Sequence, residues 1–473
     1  MHTKSEGIKN VIHRYIAIGA VLLVLAMTVL DGTVVNVALP VLAKEFNVSD
    51  SSAVWIVTIY QLVITMLLLP VSSIGDIYSY KRNYVIGIVV FTFGSVLCAM
   101  SQSFGMIVGA RAVQAVGAAM VMAVNVALVR LIYPPQYLGR GLAVNTMVIA
   151  IASAAGPSLA GAILSFASWH WLFLINIPFG VLAFIFAYKF LPQNPPRDHK
   201  VKFDWVGGVA NIFVFGSVFY ALGNFARGAD VLPNVILLCV GIGAGVFYIM
   251  HLHGREQPMF PVDLLHSRLY SLSILTYTGS FIGQNIAMIS LPFLFLNGFG
   301  FSEMITGLLM TPWPLATMIV SPFAARFIEK HNAGATAAFG MLVYAIGLLL
   351  LILEPSQGPV SEWDIAWRMA VCGAGFGIFQ TPNATVMIQA TPVSRSGAAG
   401  GFQSTARIGG QTFGATIVTL VFAWLSQPMD AGALTHGAPG VSVTLYIALG
   451  FAVIAGILSL SRFNAISKDN KVG

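Results

Sequence analysis

Charged side chains are scarce in this protein, and their scarcity limits what the chain can be. Only 9% of the 473 residues are Asp, Glu, Lys or Arg, whereas an average soluble domain contains about 25%. Hydrophobic residues make up 57% of the chain, and the mean hydropathy is +0.83. This composition excludes a soluble globular enzyme, a disordered chain and a collagen-like fibre, and it indicates a polytopic membrane protein.

The chain also lacks the residues that several kinds of site require. Its three cysteines, Cys98, Cys239 and Cys372, are scattered through apolar runs, which excludes a disulfide scaffold and indicates small core residues. The sequence contains no G-x-x-x-x-G-K-[ST] segment, so we do not expect ATP-driven transport. No cluster of His and Cys has the spacing of metal ligands. We therefore expect no cofactor, no metal and no enzymatic activity.

Long apolar runs dominate the chain. A helix needs about 20 apolar residues to cross a bilayer, and fourteen runs have roughly this length or more. They are continuous rather than alternating, which predicts helices and excludes a β-barrel. The first run is too long for a signal peptide and has no small-residue cleavage site, so we expect it to stay in the protein. The predicted spans are 15–40, 52–72, 83–101, 105–129, 141–166, 169–191, 205–224, 232–251, 270–296, 304–327, 335–353, 364–388, 398–425 and 441–461.

The positions of Lys and Arg predict the orientation of the chain. If the N-terminus is cytoplasmic, 19 of the 24 Lys and Arg residues lie in cytoplasmic segments, and only Lys44 and Arg227 lie in outer loops. Because positive residues accumulate on the cytoplasmic side, we expect a multi-pass protein of the bacterial cytoplasmic (inner) membrane with both termini cytoplasmic. The net charge of +7 then reflects orientation and contact with anionic lipid, and no nucleic-acid partner is expected.

The spans form two blocks of six with two extra spans between them. We predict an N-terminal six-helix bundle over 1–191, a linker with two extra transmembrane helices over 192–269, and a C-terminal six-helix bundle over 270–473. A small residue, an acid and then a base follow the second span of each block, in segments 72–82 and 325–330. A duplicated six-span unit would leave such a repeated pattern, and many transporters contain internal repeats.

Asp31 lies in the segment LDGTVVNVALP (30–40) and is the one acid among seventeen that is well inside an apolar run. A charge at membrane depth is costly, so an intramembrane acid indicates a functional site. Such a carboxyl group is suited to gaining and losing a proton. The structural alternative is an Asp that caps an unwound turn at Gly32 or bonds to Thr33.

Four further segments accompany this one and together carry a family resemblance. The chain resembles the major facilitator superfamily, and more closely its fourteen-span drug:proton antiporter branch, the QacA/EmrB type. The resemblance covers the whole chain and implies an all-α fold of two six-helix bundles plus two inserted helices, with alternating access around a central cavity. It also implies a monomer; a periplasmic adaptor occurs with some relatives and is not indicated here. The segments are SSIGDIYSYKR (72–82), ARAVQAVGAAM (110–120), AAGPSLAGAIL (154–164) and SWHWLFLINIPFG (168–180).

The resemblance implies roles for the charged residues of the first bundle. Asp31 matches the family's proton-coupling acid, and Arg111 matches an arginine that helps proton transfer near it. A structural Arg111, bonded to backbone carbonyl groups, is the alternative.

In the loop after the second span, the resemblance assigns cytoplasmic closure to a motif that contains Gly75, Asp76, Lys81 and Arg82. Tyr80 stands where the family commonly has a base, and Ser replaces the usual Gly at positions 72 and 79. A plain anchoring loop is the alternative.

The fifth span contains Gly156, Pro157 and Gly161, which match the antiporter motif of the family. Small residues let helix backbones approach closely, and Pro removes a backbone hydrogen bond and permits a bend. Such a contact can seal one face of the protein while the other opens. The alternative is ordinary packing of small residues.

Polar and aromatic side chains inside other spans are candidates for the substrate cavity. Packing between helices is the alternative for the polar residues, and interfacial anchoring is the alternative for Trp. The candidates are Asn36, Gln61, Gln114, Asn145, Trp313, Gln380, Asn383, Gln403 and Arg407.

The residues and the resemblance together predict a proton-coupled multidrug efflux antiporter whose partners are protons, membrane lipid and a lipophilic, cationic small molecule. The cation would exchange with protons at Asp31. Arg111 and Arg407 leave open an anionic or zwitterionic metabolite, fatty acid or antibiotic. A proton-coupled importer and a non-transporting sensor are further alternatives; the Gly-Pro pattern opposes the importer, and loops shorter than twenty residues oppose the sensor.

Overall fold

The computed structural model describes residues 10–134, 137–193, 203–226, 230–253, 260, 264–328, 332–353, 361–389, 396–425 and 439–469. Within these ranges the regular structure is helical and no strand occurs. The α-helices are α1 (Val11–Glu45), α2 (Asp50–Ala53), α3 (Trp55–Ile77), α4 (Tyr80–Ala99), α5 (Phe104–Ile132), α6 (Leu138–Phe166), α7 (Trp171–Leu174), α8 (Asn176–Phe190), α9 (Trp205–Ala226), α10 (Val231–Leu252), α11 (Arg268–Phe293), α12 (Glu303–Met310), α13 (Pro312–Phe327), α14 (Ala333–Ile352), α15 (Glu362–Gln389), α16 (Ser396–Leu425) and α17 (Pro439–Asp469).

Thirteen helical stretches of the described chain are long and apolar enough to cross a membrane. The predicted span 364–388 is also helical, as α15, but it does not belong to the thirteen. Arg368, Gln380 and Asn383 interrupt its apolar residues, and polar side chains lower the hydropathy of a span. α15 packs between α13 and α14 inside the protein, where neighbouring helices rather than lipid surround its polar side.

The spans form two bundles with an inserted pair, as predicted. α1 and α3 to α8 pack on one another, as do α11 to α17, while α9 pairs with α10 and contacts both α3 and α16. The chain boundaries predicted at 191 and 269 stay a prediction. In the second copy of the repeated pattern, segment 325–330, Glu329 and Lys330 lie outside the described residues.

The apolar core differs between the two ends of the bundles. We call the end that holds Asn10 the near side, which the sequence predicts to be cytoplasmic, and the opposite end the far side. On the far side one cluster joins both bundles, and it contains Leu39 and Phe173 of the first and Phe293 and Leu348 of the second. On the near side each bundle has its own cluster. Among the described residues, the buried apolar clusters therefore join the bundles on the far side and stay within one bundle on the near side.

The inserted helix α9 is fastened to a proline bend of α3. Pro70 has no N–H group, so the Met66 carbonyl group has no donor four residues later in its own helix. The Asn211 side chain of α9 supplies that donor, with 2.8 Å between Nδ2 and the Met66 oxygen. Phe219 of α9 also meets Phe413 of α16 edge to face. α9 thus touches both bundles.

Asn211 and Pro70 should therefore be energetically coupled. In the Pro70→Ala variant the helix provides its own N–H for Met66, so Asn211→Leu should destabilise that variant by about 1 kcal/mol less than it destabilises the wild type. Unfolding of the four proteins in detergent measures the difference. Additive effects of the two substitutions would contradict a stabilising hydrogen bond from Asn211 to the Met66 carbonyl group.

Candidate functional site

A buried ion pair lies in the interior of the first bundle. Arg111 Nη1 of α5 is 2.5 Å from Asp31 Oδ2 of α1, and the two side chains are 0% and 1% exposed. Two charges removed from water stabilise the structure only when they are paired and hydrogen-bonded. Asp31 therefore faces protein rather than the outer surface of the bundle.

Two amide side chains complete the surroundings of the carboxylate. Gln114 Nε2 donates to Asp31 Oδ1 at 2.8 Å, and Asn176 Nδ2 donates to the same oxygen at 3.2 Å. Gln114 Nε2 also lies 2.8 Å from Ser95 Oγ. Hydrogen bonds to a charged acceptor are stronger than those between neutral groups. Both oxygens of Asp31 thus accept hydrogen bonds, from side chains of two other helices.

The sequence left open that Asp31 caps an unwound turn. Instead α1 continues as a helix through residues 31–33 and ends at Glu45. The Thr33 hydroxyl donates to the backbone carbonyl groups of Val29 and Leu30, not to Asp31. The partners of Asp31 therefore come from other helices, and the capping alternative is wrong.

Arg111 has features of both roles that the sequence left open for it. Besides the ion pair, its Nη1 donates to Gln114 Oε1 at 2.6 Å, and its Nε donates to the Ile56 carbonyl oxygen at 3.3 Å. The Tyr60 ring covers the guanidinium, with 4.0 Å between the ring centroid and Cζ. Its Nη2 has no hydrogen-bond partner among the described residues. Arg111 is thus enclosed and incompletely satisfied.

The sequence indicated part of this site and missed the rest. Gln114 was predicted to line the substrate cavity, but it is 0% exposed and belongs to the ion-pair network. Tyr60, Ser95 and Asn176 were not predicted. Asn176 had a signal, since it lies in the quoted segment SWHWLFLINIPFG, whereas Ser95 is an ordinary small residue of an apolar run.

The near-side motif after α3 forms contacts within the first bundle. A Cβ atom on Gly75 would lie 2.5 Å from Val124 Cγ1, so the glycine lets α3 approach α5. The Tyr80 hydroxyl donates to Asp76 Oδ1 at 2.6 Å. Tyr80 replaces a residue that is commonly basic in the family, and here it provides a neutral donor for the acid of the motif.

The two bases of this motif lie at the near-side surface. Lys81 Nζ is 5.9 Å from the centre of the Tyr188 ring of α8. Lys81 and Arg82 border a crevice that Tyr188 also lines. The role of these residues in closing the near side stays a prediction.

The glycines of the antiporter motif lie where α6 crosses other helices. A Cβ atom on Gly156 would overlap the Thr33 hydroxyl of α1. A Cβ atom on Gly161 would lie 3.1 Å from Gly307 Cα of α12, which belongs to the other bundle. The missing side chains therefore permit close approach of the backbones.

Pro157 belongs to the same crossing. Its carbonyl oxygen occupies the place that a side chain at Gly307 would need. Next to it, Ser158 Oγ and Thr311 Oγ1 are 2.6 Å apart across the two bundles. Gly307 was not predicted from the sequence, because its importance depends on the helix it meets.

A second contact between the bundles joins α3 to α11 and α16. The side-chain amides of Gln61 and Asn285 approach each other at 3.4 Å, and Asn285 Nδ2 donates to the Gln411 carbonyl oxygen at 2.6 Å. Thr65 Oγ1 and Thr412 Oγ1 are 3.2 Å apart. Gln61, a predicted cavity residue, therefore lies in this seam between the bundles.

Several predicted cavity residues are buried in helix contacts in this conformation. Trp313 is 1% exposed and packs against Tyr344, and Asn383 is 0% exposed and donates to the Ser273 carbonyl oxygen at 3.2 Å. Asn36 and Asn145 are 8% and 6% exposed. The structure thus places these side chains away from an open surface, and Trp313 is not available to stack on a ligand.

The remaining candidates, Gln380, Gln403 and Arg407, are partly exposed. They come from α15 and α16, and they meet at the Tyr277 side chain of α11. The Tyr277 hydroxyl interacts with the side chains of Gln380 and Gln403, and the Arg407 charge acts on it electrostatically. Three helices of the second bundle thus bring these polar groups together.

Comparison with known proteins agrees with the arrangement of the helices. Residues 21–273 and 269–471 match the Major Facilitator Superfamily. The "Uncharacterized transporter YebQ" of Escherichia coli (strain K12) is 44% identical over 446 residues, which cover 94% of this chain and 95% of that protein. The "Multidrug resistance protein Stp" of Mycobacterium tuberculosis (strain CDC 1551 / Oshkosh) is 29% identical, and the match covers 86% of this chain and 75% of Stp.

Solved structures share the fold. A POT family transporter in complex with 5-aminolevulinic acid superposes with a TM-score of 0.68 at 14% sequence identity, over 94% of this chain and 95% of that one. The sequence matches extend over nearly the whole chain and the superposition over the same length. The chain therefore belongs to the major facilitator superfamily, and it is a membrane transporter of that type.

Proposed function

We propose that the protein is a proton-driven exporter of a lipophilic small molecule, of the fourteen-span drug:proton antiporter branch, and that Asp31 carries the proton. The observation that supports this role is the buried ion pair of Asp31 and Arg111. In this pair Asp31 is the group that can gain and lose a proton, because the Arg111 guanidinium stays protonated. Both termini are cytoplasmic in this proposal, so the near side is the cytoplasmic side.

Protonation of Asp31 changes the energy of the network. The neutral carboxyl group no longer balances the charge of Arg111, and an unpaired buried guanidinium is strongly destabilising. A conformation in which water or another group reaches Arg111 then becomes more favourable. A proton can shift the equilibrium because its binding free energy differs between the conformations.

The transport cycle follows from this difference. A proton from the outside reaches Asp31 when the far side is open, and it leaves to the cytoplasm when the near side is open, after which the ion pair with Arg111 forms again. Substrate crosses in the opposite direction. One charge moving across 100 mV provides about 2.3 kcal/mol, which is sufficient for roughly a fifty-fold concentration ratio.

The bundles must separate on the far side during such a cycle. The contacts that must break are what we call the far-side seam. They include the α6–α12 crossing, at Gly161 and Gly307, and hydroxyl and amide pairs such as Thr65 with Thr412. These side chains are buried in the closed seam, and water can replace their hydrogen bonds at little net cost once the bundles part. The far-side seam is therefore suited to opening and closing.

The charge of the substrate depends on what Asp31 can bind. Three side-chain donors, from Arg111, Gln114 and Asn176, already occupy the two oxygens of Asp31. A cationic substrate would have to displace Arg111 to reach the carboxylate directly. The relative Stp is named a multidrug resistance protein, which supports a lipophilic substrate without specifying its charge.

The first prediction concerns proton coupling. Asp31→Asn removes the titratable group, so proteoliposomes with an imposed pH gradient should no longer accumulate a transported dye against its gradient. Exchange of the dye at equal pH should continue, because it needs no proton. The matched control is Asp364→Asn, which removes the acid of the Asp364–Arg368 ion pair at the end of α15. Full proton-coupled accumulation by the Asp31→Asn protein would contradict the proposal.

The second prediction separates folding from coupling. Asp31→Asn leaves Arg111 buried without its counter-charge, which should destabilise the protein by about 3–5 kcal/mol. The double variant Asp31→Asn, Arg111→Gln carries no unpaired charge and should recover most of this loss. Unfolding in detergent measures both values, and a double variant no more stable than the single one would show that the ion pair is not the dominant interaction.

The third prediction concerns the far-side seam. Gly307→Ala places a methyl group against the Pro157 carbonyl group, which should force α6 and α12 apart. Spin labels at Met100 and Leu353, exposed residues at the far ends of α4 and α14, should then show longer distances. Gly279→Ala is the control, because a Cβ atom there meets nothing within 4 Å. Unchanged distances in the Gly307→Ala protein would contradict a closed seam at this crossing.

A further inference from the structure

In the described part of the second bundle, Arg407 is a cation within a span that no acid balances. Among the described residues Arg407 of α16 forms no ion pair, whereas Arg111 and Arg368 each pair with an Asp. Arg407 is partly exposed rather than buried. A guanidinium within a membrane-spanning segment is costly unless it faces a partner or a water-filled cavity. Its position therefore indicates a place for an anion.

The place of Arg407 along α16 is next to the seam between the bundles. The following residue, Ile408, packs in one apolar cluster with Tyr60 and Ile64 of the first bundle. One turn further on, Thr412 meets Thr65. α16 begins on the near side, so Arg407 precedes this closed contact on the side where the bundles separate. Along α16, a ligand that comes from the near side would therefore meet Arg407 before it meets the closed contact at Thr412.

The groups around Arg407 are donors or can act as donors. Gln403 is four residues earlier and lies on the same face of α16. The Tyr277 hydroxyl interacts with Gln403 and Gln380, and the Arg407 charge acts on it electrostatically. Two amides, a phenol and a planar guanidinium with five N–H donors form a set that matches a carboxylate. The set contains no carboxylate that would attract a cation.

We propose that the transported substrate is an organic acid, and that its carboxylate binds the Arg407 guanidinium, with Gln380 and Gln403 as additional donors. This inference rests on the proposed function, since it specifies the substrate of the same exporter. An anionic substrate also fits the energetics of exchange. The entering proton and the leaving anion move charge in the same direction, so an inside-negative potential adds to the pH gradient. A monovalent cation exchanged for one proton would gain nothing from the potential.

Binding to the purified protein in detergent tests this inference with two dyes of one ring system. Fluorescein carries a carboxylate, and rhodamine 6G is a cation without a free acid. Fluorescence anisotropy should show tighter binding of fluorescein. Arg407→Gln should weaken fluorescein binding about tenfold or more, because a charge-assisted hydrogen bond is lost. Arg407→Lys should restore part of the affinity, since it keeps the charge but not the bidentate geometry.

Arg140→Gln is the matched control, because it removes the same charge from an exposed position on α6. It should bind fluorescein as the wild type does. The proposal is overturned if rhodamine 6G binds more tightly than fluorescein, or if Arg407→Gln leaves fluorescein binding unchanged. It is also overturned if fluorescein and the smaller acids salicylate and 1-naphthoate all fail to bind at millimolar concentration.

The test distinguishes this site from the proton site. Binding in detergent needs no proton gradient, so fluorescein binding and proton-coupled uphill transport are measured independently. If Arg407→Gln binds fluorescein normally while Asp31→Asn loses uphill transport, the organic-acid site fails and proton coupling stands. If Arg407→Gln weakens fluorescein binding while Asp31→Asn remains fully coupled, the organic-acid site stands and proton coupling at Asp31 fails.

Discussion

The ion pair between Asp31 and Arg111 is the interaction on which the interior of the first bundle depends. Neither charge is stable alone in a region without water, so each requires the other. Hydrogen bonds from Gln114 and Asn176 connect the pair to α5 and α8, and Ser95 adds α4. A change of charge at one carboxyl group therefore affects the packing of several helices. In the proposed cycle this connection converts the binding of a proton into a preference for one arrangement of the bundles.

The two bundles contribute different chemistry to the proposed cycle. The first holds a neutralised pair that is closed off from its surroundings, and the second presents Arg407 beside polar groups that are partly exposed. Separate sites allow proton and substrate to act on the same equilibrium without sharing an atom, because each needs only a different affinity for the two conformations. The far-side seam links them, since both sites belong to helices that meet there.

The sequence predicted the helices well because hydropathy is a local property of a segment. All fourteen predicted spans coincide with helical segments, and α15 is the one whose polar residues keep it below the hydropathy of the others. The candidate site was only partly predictable. Asp31 and Arg111 are conspicuous as charges in apolar runs, whereas Ser95 and Gly307 are ordinary residues whose importance comes from what another helix brings against them. The sequence also assigned Trp313 to the cavity, although its ring is buried against Tyr344.

The amino-acid sequence by itself determined that this chain is a bundle of apolar helices with few internal charges, because the cost of burying polar groups in a membrane acts on each segment separately. Only the tertiary structure decided which charges meet. It paired Arg111 with Asp31, eighty residues apart, and left Arg407 without an acid among the described residues. The physical reason is that the pairing of charges depends on distances of a few ångströms between helices, and the spacing of residues along one helix does not contain those distances.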